Sequence, residues 1–417
     1  MEYKRAQYIE RLKAKKHNGL IKIITGMRRS GKSYLLFKLF KQELIRDGVL
    51  PEQIMAIAID DYANKSLRNP DALYAAVRDW AVGDQDRYLL IDEVQLIEDF
   101  ESILNGFLHI PNLDIYVTGS NAKFLSKDII TEFRGRGDEI YLLPLSFSEF
   151  MEGFPGPPID GWNEYVQFGG LPLVVQQSGP EAKSSLLKTL ITETYLNDIL
   201  SRHRIKNKQE FETLINLLAS GIGSLTNPKK LSDSFKTIQN TTISENTIKN
   251  YIDYLSDAFL ISEAMRYDIK GKRYISAPLK YFFTDMGIRN ARLNFRQLEE
   301  SHAMENILYI DLIRRGFNVD VGIVTQNLKS SQGESMRKQF EVDFVCNQGY
   351  RRYYIQSALR MPDEDKLRQE QASLLQIGDG FKKIIICKDG GRTHYTDQGI
   401  LILNLFDFLM HEDSLKE

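Results

Sequence analysis

Apolar positions along the chain switch repeatedly between strand spacing and helix spacing, and the switches mark its elements. Residues 20–24 form a short β-branched run that predicts a strand, and residues 34–40 continue with the spacing of an amphipathic helix. Further apolar runs of strand length cover residues 87–91, 113–118 and 140–145. From Phe211 the pattern turns helical, with Phe211, Leu214, Ile215, Leu217 and Leu218 spaced for one buried face. Two helices are then expected over 228–235 and 244–255, the second capped by Ser244 or a neighbour, followed by strands over 259–267 and 280–283. That order, two helices and then a hairpin, predicts a winged helix. The last part reads as a helix over 301–309 and strands over 317–322, 340–345 and 353–358.

The first strand and helix are joined by Gly26-Met27-Arg28-Arg29-Ser30-Gly31-Lys32-Ser33, which fits G-x-x-x-x-G-K-[ST] at every position. Glycines let such a loop wrap closely around phosphates, so that backbone N–H groups and the helix N-terminus, opened by Tyr34, meet the negative charge. Lys32 is expected to neutralise the β- and γ-phosphates of ATP, and the Ser33 hydroxyl to ligate Mg2+. Met27, Arg28, Arg29 and Ser30 line the loop, and the two arginines receive no individual role. The strand over 87–91 runs into Asp92 and Glu93: Asp92 is expected in the magnesium shell, and Glu93 to orient and polarise the attacking water. Beyond the strand over 113–118, Ser120 or Asn121 is either a sensor of the γ-phosphate or a helix cap. Arg136, favoured over Arg134, is expected to stabilise transition-state charge in its own site or in a neighbouring subunit's.

Composition changes this picture mainly by exclusion. A chain of 417 residues with 42% hydrophobic and 26% charged residues is an ordinary globular one, too long for a single core. The expected division is a core at 1–150, a helical lid or linker at 151–208, the winged-helix domain at 209–292 and a C-terminal domain at 293–417. No apolar run approaches the roughly 18 residues of a spanning helix, and the first residues lack a signal-peptide pattern, so a cytoplasmic protein with no membrane contact is expected. The two cysteines, Cys346 and Cys387, are too few for a disulfide framework. A net charge of −2 provides no global field for nucleic acid, which leaves only local patches such as Arg202 to Lys208, Lys229 with Lys230, and Lys270 to Arg273.

The sequence resembles a bacterial and archaeal AAA-type P-loop ATPase family with a characteristic C-terminal region of unknown function. The likeness rests on the loop at Gly26 to Ser33, I-D-E-V-Q at Ile91 to Gln95, V-T-G-S-N-A at Val117 to Ala122, P-L-S-F-S-E-F at Pro144 to Phe150, F-G-G-L-P ending at Pro172, and Y-F-F-T-D-M-G at Tyr281 to Gly287. It implies an α/β fold, an AAA-like parallel sheet of the P-loop NTPase kind. Gly170-Leu171-Pro172 also resembles the G-x-P element of STAND-type signalling ATPases, which implies a lid with Pro172 near the adenine. The C-terminal pattern resembles the PD-(D/E)XK nuclease fold, with Glu305 and Asp343 at two acidic positions. Where an acid-x-lysine belongs, however, the chain has Gln356-Ser357-Ala358, which disfavours cleavage. The expectation is therefore an ATP-binding and ATP-hydrolysing switch that cycles between ATP and ADP with Mg2+ and acts on an unidentified protein partner, with DNA contact through the winged helix and oligomerisation both left open. Two alternatives stand beside it: an ATP-gated magnesium-dependent nuclease, and a nucleotide-stabilised DNA-binding scaffold with negligible turnover.

Overall fold

The computed structural model describes residues 2–119, 135–239, 241–329 and 335–416. By contact the chain forms two compact units. The first comprises residues 1–144, 171–176 and 257–259; the second comprises 145–170, 177–256 and 260–417.

The first unit is built on five parallel strands, β1 (Ile21–Thr25), β2 (Ile54–Ala58), β3 (Arg87–Asp92), β4 (Leu113–Thr118) and β5 (Gly137–Tyr141), in the order β2-β3-β4-β1-β5. Successive residues of these strands serve opposite faces, and both faces are covered. Ile21, Ile23, Leu89, Ile91, Ile115 and Val117 pack on one side with Leu73, Val77, Leu104 and Phe107. Ile24, Tyr88, Leu90 and Tyr116 pack on the other with Tyr8, Leu12, Leu36 and Phe40. A parallel sheet buried on both faces reads as continuous apolar runs, which is why these strands were legible as such. The helix after β1 starts at Lys32 and continues through a π-helical stretch, Leu35–Phe40, to Arg46.

β5 differs from its expected span. The chain leaves the sheet after Tyr141, although Leu142 N still bonds Thr25 O at 2.9 Å. The carbonyls of Leu143 and Pro144 turn instead to the Arg5 guanidinium, at 2.9 and 3.2 Å.

The second unit carries an eight-stranded mixed sheet in the order β12-β13-β11-β10-β9-β8-β6-β7. Its strands are β6 (Ile261–Asp268), β7 (Arg273–Phe283), β8 (Asn318–Lys329), β9 (Ser335–Gln348), β10 (Arg351–Ala358), β11 (Lys382–Cys387), β12 (His394–Tyr395) and β13 (Leu401–Asn404). Helices Pro228–Gln239 and Glu245–Asp257 stand where the winged-helix pattern expects them, and Ser244 Oγ caps the second by accepting from Thr247 N at 3.0 Å. The hairpin β6–β7 does not stand apart. β6 pairs in parallel with β8 through Arg266, Tyr267 and Asp268, so strands from either side of residue 292 share one sheet. Among the described residues no helix is long and apolar enough to cross a membrane.

Candidate nucleotide site

β1 delivers the chain to the phosphate-type loop, where one glycine is fixed by space and the other by its backbone conformation. Gly26 has φ +136, and a Cβ there would collide with the carbonyl oxygen of Leu142; Gly31 has φ +97 at the helix start. Lys32 is buried, and its Nζ donates to Gly26 O at 2.9 Å and Met27 O at 3.0 Å. Burial lowers its pKa to about 8, against the opposing attraction of Glu93 and Asp92, while Arg28 adds to the lowering. The amine is thus held on backbone carbonyls within an acidic surrounding. Ser30 is fully buried, and its hydroxyl has no hydrogen-bond partner among the described residues. Arg29 is exposed at φ 65, and Tyr34 is exposed on the first helical turn.

Asp92 ends β3 and is buried, which pushes its carboxyl above the usual range; hydrogen bonds from Thr118 and Ser33 oppose the shift. Ser33 and Asp92, the expected magnesium ligands, are therefore brought together. Glu93 follows in a left-handed conformation, φ 54, a backbone state that costs about 1–3 kcal/mol and clusters at functional positions. Its side chain accepts from Gln95 Nε2, and its backbone N–H donates to Thr118 Oγ1 at 3.2 Å. The Thr118 hydroxyl in turn donates to Asp92 Oδ1.

Thr118 and Arg5 are the site residues that sequence reasoning missed. Thr118 reaches both acids only because β4 lies directly beside β3, and its position as the last residue of an expected strand was the signal available. Arg5, itself left-handed at φ 50 and buried, donates to Ser30 O at 2.9 Å and so holds the loop from behind. Nothing in the run Met1 to Arg5 announces this, because an early basic residue reads as solvated surface.

Pro172 stands beside the loop, its Cγ 3.9 Å from where a Cβ on Gly31 would be. Arg136 does not join the site. Its carbonyl accepts from Ile21 N at 2.8 Å, which puts it at the amino end of β1, the opposite end of that strand from Lys32; its guanidinium meets Asn105 Oδ1 at 3.5 Å. Ser120, Asn121 and Arg134 lie outside the described residues.

The donor set fits a nucleotide with magnesium: an amine without a carboxylate bonded to it, a buried hydroxyl with an open valence, and a serine and aspartate already in contact. A parallel sheet with this site at the carboxyl ends of its strands defines an AAA-type P-loop ATPase domain, and residues 18–151 match the family described as AAA domain. Residues 159–299 match a domain of unknown function. The chain is 32% identical to an uncharacterized protein of Haemophilus influenzae over 97% of its own length and 98% of that protein's, and it belongs to the same family. An uncharacterized protein of Methanocaldococcus jannaschii is 29% identical over 86% of this chain and 79% of its own. Among solved structures, an Aeropyrum pernix ORC1 protein in complex with DNA is 10% identical, with 70% of this chain and 93% of that one covered at a TM-score of 0.32. The Cdc6p protein of Pyrobaculum aerophilum is 12% identical, with 73% and 94% covered and a TM-score of 0.29.

In the second unit the structure brings together Glu305 and Asp343, the two acids of the nuclease-like pattern, with Glu341 and the buried Lys280 of β7. Lys366, on the helix Glu364–Leu375, pairs with Glu370 at 2.6 Å.

Proposed function

We propose that the chain is an ATP-hydrolysing switch. The observation that supports this reading is the convergence of Lys32, Ser33, Asp92, Glu93 and Thr118 at the carboxyl ends of β1, β3 and β4. Lys32 leaves its two backbone carbonyls and meets phosphate oxygens, where the low dielectric strengthens the attraction. Ser33 and Asp92 would hold Mg2+, which when bound neutralises charge on the phosphates. Thr118 fixes the Asp92 carboxylate by one hydrogen bond and the turn at Glu93 by another. Glu93 then orients a water for in-line attack on the terminal phosphorus and draws on its proton as the P–O bond to the leaving diphosphate breaks. Gln95 holds the Glu93 carboxylate until the water takes its place. Pro172, beside Gly31, is the contact through which the segment 171–176 follows the state of the loop, and any part played by Arg136 is in a neighbouring subunit's site.

The test is ATP turnover by purified full-length protein beside Glu93→Gln, with and without single- and double-stranded DNA. Turnover should fall about 100-fold or more in the variant while nucleotide affinity is retained. Equal turnover in the two proteins would remove Glu93 from the chemistry.

A second reading, DNA association, draws on the exposure of Asn246, Lys249 and Asn250 along one helix and of Lys270 and Lys272 at the hairpin turn. Two cations of the other basic patch are engaged locally, Arg202 with Asp198 and Lys208 with Glu212 at 3.7 Å. Turnover stimulated by DNA and losing that stimulation in Lys249→Ala would support the reading.

A further inference from the structure

The nuclease-like pattern implies a divalent cation between its acids, and the residues present do not fit one. Glu305, on the helix Glu300–Arg314, and Glu341 and Asp343, on β9, are drawn around Lys280, whose side chain is 4% exposed. Its Nζ lies 2.7 Å from Glu305 Oε1 and 2.7 Å from Glu341 Oε1, both within the range of charge-assisted hydrogen bonds. Asp343 directs Oδ2 at the Ser357 backbone N–H, 2.7 Å, and at the Ser357 hydroxyl, 2.8 Å. The Gln356 amide is turned onto the protein, its Oε1 accepting from Asp343 N and Ser373 Oγ at 3.4 Å each. Gly223 packs against the same carboxylate, so closely that a Cβ there would stand 2.8 Å from Oε2 of Glu305. Among the described residues no group of three His, Cys, Asp or Glu has a metal-holding arrangement.

We propose that the Lys280 ammonium is the resident cation of this cluster, standing between Glu305 and Glu341 where a nuclease-like fold would hold a divalent metal, so that the module is metal-free by construction. Two buried carboxylates, Glu305 and Asp343, with the half-buried Glu341 beside them repel unless a positive charge offsets them. Lys280 supplies that charge from β7, a strand that precedes the C-terminal region in sequence, and it ties the hairpin β6–β7 to β9 and to the helix of Glu305. An ammonium has no open coordination position, and Lys280 directs its donors at two carboxylates, so the cluster is a clamp and not a metal-type hydrolytic centre. The directions of the pKa shifts agree. Although burial opposes it, the carboxylates hold Lys280 above its ordinary value, and burial followed by the charge of Asp343 lifts Glu305 to about 8. The ammonium form of Lys280 is thus favoured, while burial and the charge of Asp343 favour a proton on Glu305, which relieves the crowding of three acids around one cation.

The inference is independent of the nucleotide reading and is tested on the nucleotide-free full-length chain with Mn2+ as the probe. Bound Mn2+ is counted by electron paramagnetic resonance, and thermal midpoints are recorded with and without the ion. Wild type should bind no Mn2+ that is lost on Asp343→Asn, and Lys280→Arg, which keeps the cation, should also bind none. Lys280→Ala should melt earlier, recover with Mn2+, and lose that recovery when Asp343→Asn is added. Mn2+ bound by wild type in an Asp343-dependent way would overturn the proposal even if Lys280→Ala fails to fold. So would a folded Lys280→Ala with no gain of Mn2+, or DNA cleavage by wild type that Asp343→Asn abolishes.

Discussion

Lys32 and Lys280 are both buried lysines in acidic surroundings, one in each unit, and their surroundings act on them in opposite directions. Lys32 has its amine on two backbone carbonyls with Glu93 and Asp92 near but not hydrogen-bonded to it, and burial takes its pKa down to about 8. Lys280 is gripped by two carboxylates and held above its ordinary value. A desolvated ammonium without a full counter-charge is a site prepared for an anion, whereas one with its counter-charges already in contact is closed. On the two readings proposed above, the same side chain serves a ligand site in the first unit and an internal lock in the second.

The largest expected effect breaks the first half of the contrast. Lys32→Ala should weaken binding of a fluorescent ATP analogue by about 100-fold or more, since a charged hydrogen-bond donor to phosphate is lost from a buried position. Unchanged affinity would mean that the amine stays on its backbone carbonyls when nucleotide binds.

A pH titration sharpens the same half. In the nucleotide-free fold Lys32 loses its proton near pH 8, below the ordinary lysine value of 10.5, and phosphate contact would restore it. Binding between those two values must then take up a proton, so affinity should fall by roughly tenfold per pH unit above about 8. Calorimetry in buffers of different ionisation enthalpy reads the uptake directly, and a pH-independent affinity across that window would contradict the assignment.

Arg5→Ala should have a smaller effect, about three- to tenfold on nucleotide affinity, because Arg5 acts on the loop through the carbonyl of Ser30. Arg5→Lys should recover part of it. A loss of turnover at saturating nucleotide with unchanged affinity would instead place Arg5 in the chemical step.

The smallest effect concerns the second half of the contrast. Glu305 has an ordinary value of 4.5 and is raised to about 8 in the fold, so folding favours its protonated form. Stability should therefore fall as pH rises from 4.5 to about 8, and the fall should stop above that. Glu305→Gln should flatten the midpoint of the second unit across this window by a few degrees. A profile as steep as wild type would show that Glu305 titrates normally.

The strand, loop and helix around Lys32 were legible because they are contiguous: a β-branched run, a glycine loop and an amphipathic run can be read within a few turns of chain. Asp92 and Glu93 were legible for the same reason, at the end of an apolar strand. Thr118 was not, because its role depends on β4 lying beside β3 and not on anything within residues 113–118. Arg136 shows the converse. Reading along the chain placed it near the site, but parallel pairing of β5 with β1 puts Gly137 opposite Ile21 and carries Arg136 to the amino ends of the strands, away from the loop.

By itself the sequence determined the phosphate-type loop, the acidic strand end and the two helices before the hairpin, since each is fixed by residue type at short spacing, whereas the pair Glu305 and Asp343 came only from the resemblance of the C-terminal pattern to a nuclease fold. Tertiary structure alone decided the strand order, the reach of Arg5 to the loop, the joining of β6 to β8 and the arrival of Lys280 among the acids. Those depend on which distant segments share a sheet or a core, and the free energy that selects them comes from burial and charge pairing summed over the folded chain, which no local pattern records.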